Sequence, residues 1–324
     1  MGQTDLIHYL GEDWSRTKAL IHSMLHSDVQ LLSDINDSLL GNSGKMFRPM
    51  LTIAMARAAN GGVANDDTLR NAASVEILHN ATLLHDDVAD EAETRRGVPT
   101  VMSRFGPVPA VLVGDFWLAR AVGLLSGSKH LNWAMSEYAR TLTDLAEGEM
   151  LQQEKAFKAD TTVDEYMRII YGKTASLFMT ACRAGVKSVE GPGELLSAAG
   201  RFGRALGMAF QIRDDVLDYA GGDQTGKPVG IDLKEQKITL PLLGALSRSH
   251  CDKEIRKMIR EIPEHPEYCE KIHNFVLENG GVEYAGHRLD VFVSEALEAL
   301  EAFPESHDRE VLAFLVMDNS KRSK

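Results

Sequence analysis

Six aspartates in two clusters are the residues best suited to chemistry in this 324-residue chain: Asp86-Asp87-Val88-Ala89-Asp90 and Asp214-Asp215-Val216-Leu217-Asp218. Both place carboxylates at i, i+1 and i+4, and on a helix i and i+4 stack one turn apart on one face. Like charges so close repel, so packing three on a helix costs stability unless something positive sits among them. A lone acidic run is usually a solvated face. Here apolar sequence leads into each cluster, Ala81-Thr82-Leu83-Leu84 into the first and Met208-Ala209-Phe210 into the second. An acidic triplet closing an apolar helix, twice over, predicts hard cations at the mouth of a cavity. Carboxylate oxygens without a dedicated cage suit Mg²⁺, which keeps waters and shares itself with phosphate oxygens.

The basic residues complete that picture. Counted as helix, Arg95 and Arg96 lie one and a half turns past Asp90. Lys45 and Arg48 sit in Gly44-Lys45-Met46-Phe47-Arg48-Pro49, and Lys173-Thr174, Lys227 and Lys237 add further cations. Arginine forks grip phosphate oxygens bidentately and lysines act as point charges. Two metal-ligand clusters among scattered cations imply a diphosphate substrate.

These residues need rigid elements to hold them, and the chain reads as helix after helix. Tyr138, Leu142, Leu145 and Met150 recur at helical spacing, as do Leu195, Ala199, Phe202, Leu206 and Ala209. No alternating runs joined by two-residue turns announce a hairpin. Breaks fall at Gly41 to Gly44, Gly61-Gly62, Gly97-Val98-Pro99, Gly106-Pro107, Gly191 to Gly193 and the polar stretch 221–237, which reads as a lid. None separates domains, so one all-α domain over 1–324 is expected.

Composition narrows the function classes. Apolar residues are 44% of the chain and charged residues 25%, as in an ordinary globular protein. A net charge of −12 argues against nucleic acid as a partner, because phosphate neutralisation needs a basic face. Three scattered cysteines make neither a disulfide framework nor a zinc site, which suits a reducing, cytoplasmic setting. The N-terminal residues lack the basic start and apolar core of a signal peptide. The most apolar stretch, Val108 to Leu125, contains Asp115 and Arg120 and reads as a buried helix with no transmembrane segment.

Taken together, the chain resembles the trans-isoprenyl diphosphate synthases, the polyprenyl synthetase family, along nearly its whole length. The resemblance rests on Gly44 to Pro49, the block His79 to Gly97 (HNATLLHDDVADEAETRRG) and Gly148-Glu149. It continues through Lys173-Thr174-Ala175, the block Gln211 to Asp218 (QIRDDVLD), Thr225 to Pro228, Asp232-Leu233 and Lys237. It implies an all-α helical bundle around a central cavity, assembled as a homodimer. It also implies the roles. Asp86, Asp87, Asp90, Asp214, Asp215 and Asp218 would hold Mg²⁺, about three ions per site with substrate bound. Arg95, Lys173, Gln211, Lys227 and Lys237 would grip an allylic diphosphate. Lys45, Arg48, His79 and Arg96 would bind isopentenyl diphosphate, and Thr174 would act near the reacting carbons. Ala89 departs from a position where the family commonly has a β-branched residue, and it is not a ligand position.

Product length should follow the depth of cavity below Asp86, at about 5.4 Å per helical turn. The resemblance says that short-chain enzymes place a bulky aromatic four or five residues before that aspartate. Here stand Thr82 and Ala81, with Ile77, Ser74 and Ala73 continuing the stripe. The expected product is a long-chain all-trans polyprenyl diphosphate, heptaprenyl to decaprenyl and centrally octaprenyl, for quinone side chains. Tyr138 or Leu142 would be the floor. The alternatives are a short-chain farnesyl or geranylgeranyl synthase, a subunit of a heteromeric synthase, and a terpene cyclase, which would have no use for a second diphosphate site. A di-iron carboxylate bundle is a distant fourth, resting on Glu76-Ile77-Leu78-His79 and Glu270-Lys271-Ile272-His273.

Overall fold

The computed structural model of the chain describes residues 3–42, 44–220 and 230–321. In chain order come α1 (Gln3–Met24), α2 (Gln30–Gly41), α3 (Phe47–Ala59) and α4 (Asp66–Ala89), then strands β1 (Thr94–Arg95) and β2 (Val98–Pro99). Next are α5 (Val101–Phe105), α6 (Pro107–Ser126), α7 (Leu131–Lys158), α8 (Val163–Ile170), one π-helical turn (Tyr171–Ala175) and α9 (Ser176–Ser188). The remainder is α10 (Gly193–Ala220), α11 (Ile231–Lys234), α12 (Leu240–Ser247), α13 (Asp252–Arg260), α14 (Tyr268–Glu278), α15 (Gly281–Leu300) and α16 (His307–Lys321). The all-α class stands. The chain forms two compact units: Met1–Tyr138 with Ala181–Ala199 and Phe303–Leu312, and Ala139–Thr180 with Gly200–Ala302 and Ala313–Lys324.

In the first unit α4 is the central rod. Asn65 caps its start, accepting from the Thr68 amide at 2.9 Å while the Thr68 hydroxyl accepts from the Asn65 amide at 3.2 Å. Asp66 and Asp67 in the first turn suit the positive end of the helix dipole. The helix interior is apolar nearly all round, with Ala72, Ala73, Val75, Ile77 and Ala81 fully buried. Its last turn carries Asp86 and Asp87 at the negative dipole end, the unfavourable place for carboxylates. Nearby cations are what make that ending tolerable.

Two expectations need correction in this unit. The stretch Val108 to Leu125 forms α6, but it is not simply buried. Ala110, Val113, Trp117, Ala121 and Leu124 face the core, whereas Val108 is 67% and Leu112 61% exposed. Val108, Val111, Leu112 and Val122 make an apolar row along the outer face. By length and composition alone α6 would also reach across a bilayer. Second, a hairpin is present after all. β1 and β2 pair antiparallel around Arg96-Gly97, with φ of 54° and 79°. Arms of two residues are too short to show alternation, so only the turn pair could have signalled it. Arg95 and Arg96 therefore stand on this ribbon, not on a continued helix.

A third feature locks α1, which breaks at Gly11 (φ 54°, ψ −121°). Arg57 donates to the Tyr9 and Leu10 carbonyls at 3.0 and 2.9 Å and to Asp13 at 2.5 Å. One buried guanidinium thus satisfies carbonyls at the break that would otherwise lack partners.

The second unit is held by close helix approaches that only glycine permits. A Cβ at Gly148 on α7 would lie 2.8 Å from the Lys173 amide nitrogen, and one at Gly172 would lie 2.5 Å from the Asp144 carbonyl. The π-helical turn is thereby pressed backbone-to-backbone against α7, which sets where Lys173 and Thr174 project. Gly203 and Gly207 on α10 pack in the same way against Phe178, Met179 and Ala175.

Candidate active site

The first unit brings four of the predicted basic residues, Arg48, His79, Arg95 and Arg96, into one electrostatic set. Lys45 is exposed just before α3, and Arg48 stands in the first turn of that helix. Arg96 lies against Gly44, where a Cβ would come within 2.3 Å of its Nη1. His79 is held well below the usual imidazole range by burial and then by Arg48, Arg96 and Arg95, so it is neutral at physiological pH. Burial lowers Arg48 to about 10, with Glu76 opposing that shift and Arg96 adding to it. Glu76 is 5% exposed; burial pushes it up, and Arg48 and the amide of Asn80, donating at 3.0 Å, pull it down. Three arginines around a neutral imidazole make a site for an anion with several oxygens.

The first aspartate cluster divides by exposure. Asp90, the C-cap of α4, is exposed, and Asp86 is half-buried one turn before it. Asp87 turns inward at 5% exposure and accepts from Arg95 Nε at 2.6 Å. Burial raises the Asp87 carboxyl, and Arg95 works against that rise. Arg95, expected on a diphosphate, is therefore already anchored to a motif aspartate.

Below these groups the chain-length positions sit in the core. Ala81 and Ile77 are fully buried, as are Ser74 and Ala73, and Thr82 donates to the His79 carbonyl at 2.8 Å. Ser74 donates to the Ala121 carbonyl of α6 at 3.0 Å. Tyr138, buried at 2% exposure, donates to the Asn71 carbonyl at 3.1 Å.

The second unit carries the other half of the prediction around a cavity of about 80 Å³, lined by Gln152, Tyr166, Lys173, Gln211, Asp215 and Asp232 among others. Lys173, on the π-helical turn, pairs with Glu149 at 2.8 Å and reaches Gln152 at 3.4 Å. Thr174 donates to Gln211 Oε1 at 2.7 Å, Gln211 donates to Asp215 Oδ1 at 2.9 Å, and Tyr166 donates to Asp215 Oδ2 at 2.5 Å. Asp215 is thus taken on both oxygens, and burial, with Asp232 nearby, lifts its pKa well above the carboxylate range. Asp218 caps α11, accepting from the Ile231 and Asp232 amides at 3.1 and 3.2 Å. Asp214 is exposed, with Arg213 donating to its Oδ1 at 2.6 Å. Burial and then Asp218 raise Asp232 to about 6. Lys237 pairs with Glu235. Lys227 and the 221–229 part of the expected lid lie outside the described residues.

The structure gives the six aspartates different surroundings. Asp90 and Asp214 are exposed and Asp86 is half-buried, and Asp214 accepts from Arg213, while Asp87, Asp215 and Asp218 accept hydrogen bonds from Arg95, from Tyr166 and Gln211, and from the Ile231 and Asp232 amides. Sequence reasoning missed Tyr166 and Gln152 and gave Asp232 no role. For Tyr166 a signal existed, since Tyr166, Ile169, Ile170 and Lys173 follow the i, i+3, i+4, i+7 spacing of one helix face and all line the cavity. The di-iron reading fails on contacts: His273 donates its Nε2 to the Tyr219 carbonyl at 2.9 Å, and Glu270 is exposed.

The sequence model described as Polyprenyl synthetase matches residues 29–276. Octaprenyl diphosphate synthase of Escherichia coli (strain K12) is 39% identical over 308 residues, 93% of each chain. Among solved structures, a decaprenyl diphosphate synthase from Rhodobacter capsulatus superposes with a TM-score of 0.92 at 33% identity, covering 100% of both chains. A polyprenyl synthase from Caulobacter crescentus CB15, complexed with calcium and isoprenyl diphosphate, gives 0.90 at 33% identity over 100% of this chain and 98% of that one. With two aspartate clusters, a polyarginine anion site and these likenesses over the full length, the chain belongs to the polyprenyl synthetase family.

Proposed function

We propose that the chain, acting as one domain over 1–324, condenses isopentenyl diphosphate with an allylic diphosphate to build a long-chain all-trans polyprenyl diphosphate. The product spans heptaprenyl to decaprenyl, centrally octaprenyl, and serves isoprenoid quinone side chains. The carrying observation is that each unit holds one aspartate cluster and one basic set, Lys45, Arg48, His79 and Arg96 in the first unit and Lys173 with Lys237 in the second. One diphosphate would need one such set; two diphosphates need both.

The donor set fits a hard divalent cation, since Asp86, Asp90 and Asp214 offer only carboxylate oxygens and leave room for phosphate oxygens to complete the coordination. Asp86, Asp90 and Asp214 would hold about three Mg²⁺ ions, and Asp87, Asp215 and Asp218 would orient the surrounding groups. When bound, Mg²⁺ neutralises charge on the departing diphosphate and so favours ionisation of the allylic C–O bond. Arg95, Lys173, Gln211, Lys227 and Lys237 grip that diphosphate as it leaves. Arg48 and Arg96, with Lys45 and neutral His79, hold isopentenyl diphosphate so that its double bond meets the allylic cation. Thr174 stands beside the reacting carbons with its hydroxyl fixed by Gln211. The proton then leaves for the released diphosphate, and no nucleophilic side chain is required.

Chain length rests on Ala81, Thr82 and Ile77, which place no aromatic ring below Asp86. The outer apolar row of α6 supports a homodimer, with that face covered by a second copy and the helix serving as a surface helix, not a membrane span. Cytoplasmic action fits the free cysteines Cys182, Cys251 and Cys269. The test is incubation with farnesyl diphosphate, labelled isopentenyl diphosphate and Mg²⁺, followed by chromatography of the dephosphorylated products. A ladder reaching thirty-five to fifty carbons supports the reading, and Ala81→Phe should shorten it. Product ending at fifteen or twenty carbons defeats the long-chain assignment.

A further inference from the structure

Arg213 occupies the position before Asp214 on α10, and consecutive helical residues do not face one another. Even so, its Nη2 donates to Asp214 Oδ1 at 2.6 Å. The guanidinium is bent into that contact from its other end. Nη1 donates to both the carbonyl and the side-chain oxygen of Asn319, at 3.0 and 2.5 Å, and the group lies over the Phe210 ring at 4.9 Å. Arg213 has 11% of its side chain exposed, and Asn319 is 5% exposed.

Asn319 belongs to the last turn of α16, where carbonyls have no partner within the helix and the dipole is negative. A guanidinium there is doubly favoured, as a donor to an orphan carbonyl and as a cation at the negative end. The planar fork spans Asn319 and Asp214 together, which a lysine ammonium could not do in the same geometry. Two further nitrogens, Arg213 Nε and Asn319 Nδ2, are buried without a hydrogen-bond partner. The arrangement keeps the bridge to Asp214 while leaving those donors unsatisfied.

We propose that Asn319 and Arg213 form a tether from the C-terminal helix that aims Asp214 at its cation. One oxygen of Asp214 is fixed by Arg213, and the other is turned outward for a single metal contact. Arg213 and Asn319 are positioning residues that act through Asp214, and Asn319 lies beyond the 29–276 segment matched by the family model. The inference rests on the proposed role of Asp214 as a metal ligand.

The test measures Mn²⁺ binding to the full chain by electron paramagnetic resonance, without turnover, in the presence of inorganic pyrophosphate. Hydrogen exchange over 307–321 is followed in parallel. Arg213→Met should weaken Mn²⁺ binding about tenfold, and raise the Mg²⁺ needed for half-maximal activity by a similar factor, with KM for isopentenyl diphosphate within twofold. Asn319→Leu should move the same quantities about threefold, and Asn319→Asp, which keeps an acceptor for Arg213, should recover most of that loss. Both Arg213→Met and Asn319→Leu should speed exchange at the end of α16. Wild-type Mn²⁺ binding in Arg213→Met, where Asp214→Asn loses it, would overturn the tether. Unchanged binding in Asp214→Asn as well would overturn the metal role of Asp214 first and the tether with it. Should Arg213→Met fail to fold, the comparison of Asn319→Leu with Asn319→Asp decides: equal Mn²⁺ binding in the two rejects the proposal.

Discussion

The Arg96 guanidinium lies across the bare backbone of Gly44, so close that a Cβ on Gly44 would sit 2.3 Å from Nη1 and 2.4 Å from Cζ. Arg96 itself holds φ 54° at the tip of the hairpin, a conformation that constrains where its side chain can begin. Gly44 thus acts as a seat for an arginine on a different element, not as a flexible link.

Gly44→Ala should unseat that guanidinium and raise KM for isopentenyl diphosphate about tenfold. Stability should change by less than about 1 kcal/mol, because the displaced group is the free end of a flexible side chain. Steady-state kinetics beside thermal melting checks this, and an unchanged KM would count against Arg96 as a diphosphate ligand.

Gly172→Ala is expected to behave differently, since the added Cβ meets the Asp144 carbonyl at 2.5 Å and Gly148 Cα at 2.9 Å, all backbone. Overpacking of that kind costs about 1–3 kcal/mol. The π-helical turn must shift to relieve it, and a shift of about 1 Å in Lys173 and Thr174 should lower kcat about a hundredfold. A variant with lowered melting temperature but wild-type kcat would show that the turn does not position the reaction.

Asp232 predicts a reversed pH effect in the metal-free protein. Its folded pKa is raised to about 6 from 3.8, so the native state holds its proton more tightly than the unfolded chain does. Stability from this group is present below the unfolded pKa and is lost as pH rises from about 4 to 6. Asp232→Asn should therefore be more stable than wild type at pH 7 by up to about 3 kcal/mol and nearly equal to it at pH 4. Urea melts at the two pH values measure the difference, and a constant gap would refute it.

Arg57 provides a stability effect separate from chemistry. Removing it in Arg57→Met leaves the Tyr9 and Leu10 carbonyls and half-buried Asp13 without this donor. The expected loss is about 2–3 kcal/mol, below the full range for breaking a buried ion pair on one side because this pair is only partly buried. Kinetic constants of the folded fraction should be unchanged at low temperature. A drop in kcat with no loss of stability would place Arg57 in the reaction instead.

The helical class, the two aspartate clusters and the diphosphate reading were legible from residues close in sequence. Carboxylates at i and i+4 meet on any helix, and apolar residues at helical spacing mark a core face wherever they occur. The glycine-rich breaks likewise marked real ends, as at Gly106 before α6 and Asn42 after α2. Those signals are local, so they survive without knowledge of the fold.

Other features depended on partners far along the chain. Nothing near Asp87 distinguishes it from Asp86, yet Asp87 is the one buried against Arg95 of the hairpin, while Asp86 is half-buried. Asp215 is closed by Tyr166 and Gln211, Asp214 is turned by Arg213 only because Asn319 holds that arginine, and α6 shows an apolar outer row that composition alone made look buried. The sequence by itself determined which residue types could bind cations and diphosphates, because helical periodicity places them on shared faces. Tertiary structure decided which partners hold each carboxylate, because hydrogen bonding and desolvation are settled by neighbours 49 and 106 residues away, as for Asp215 with Tyr166 and Arg213 with Asn319.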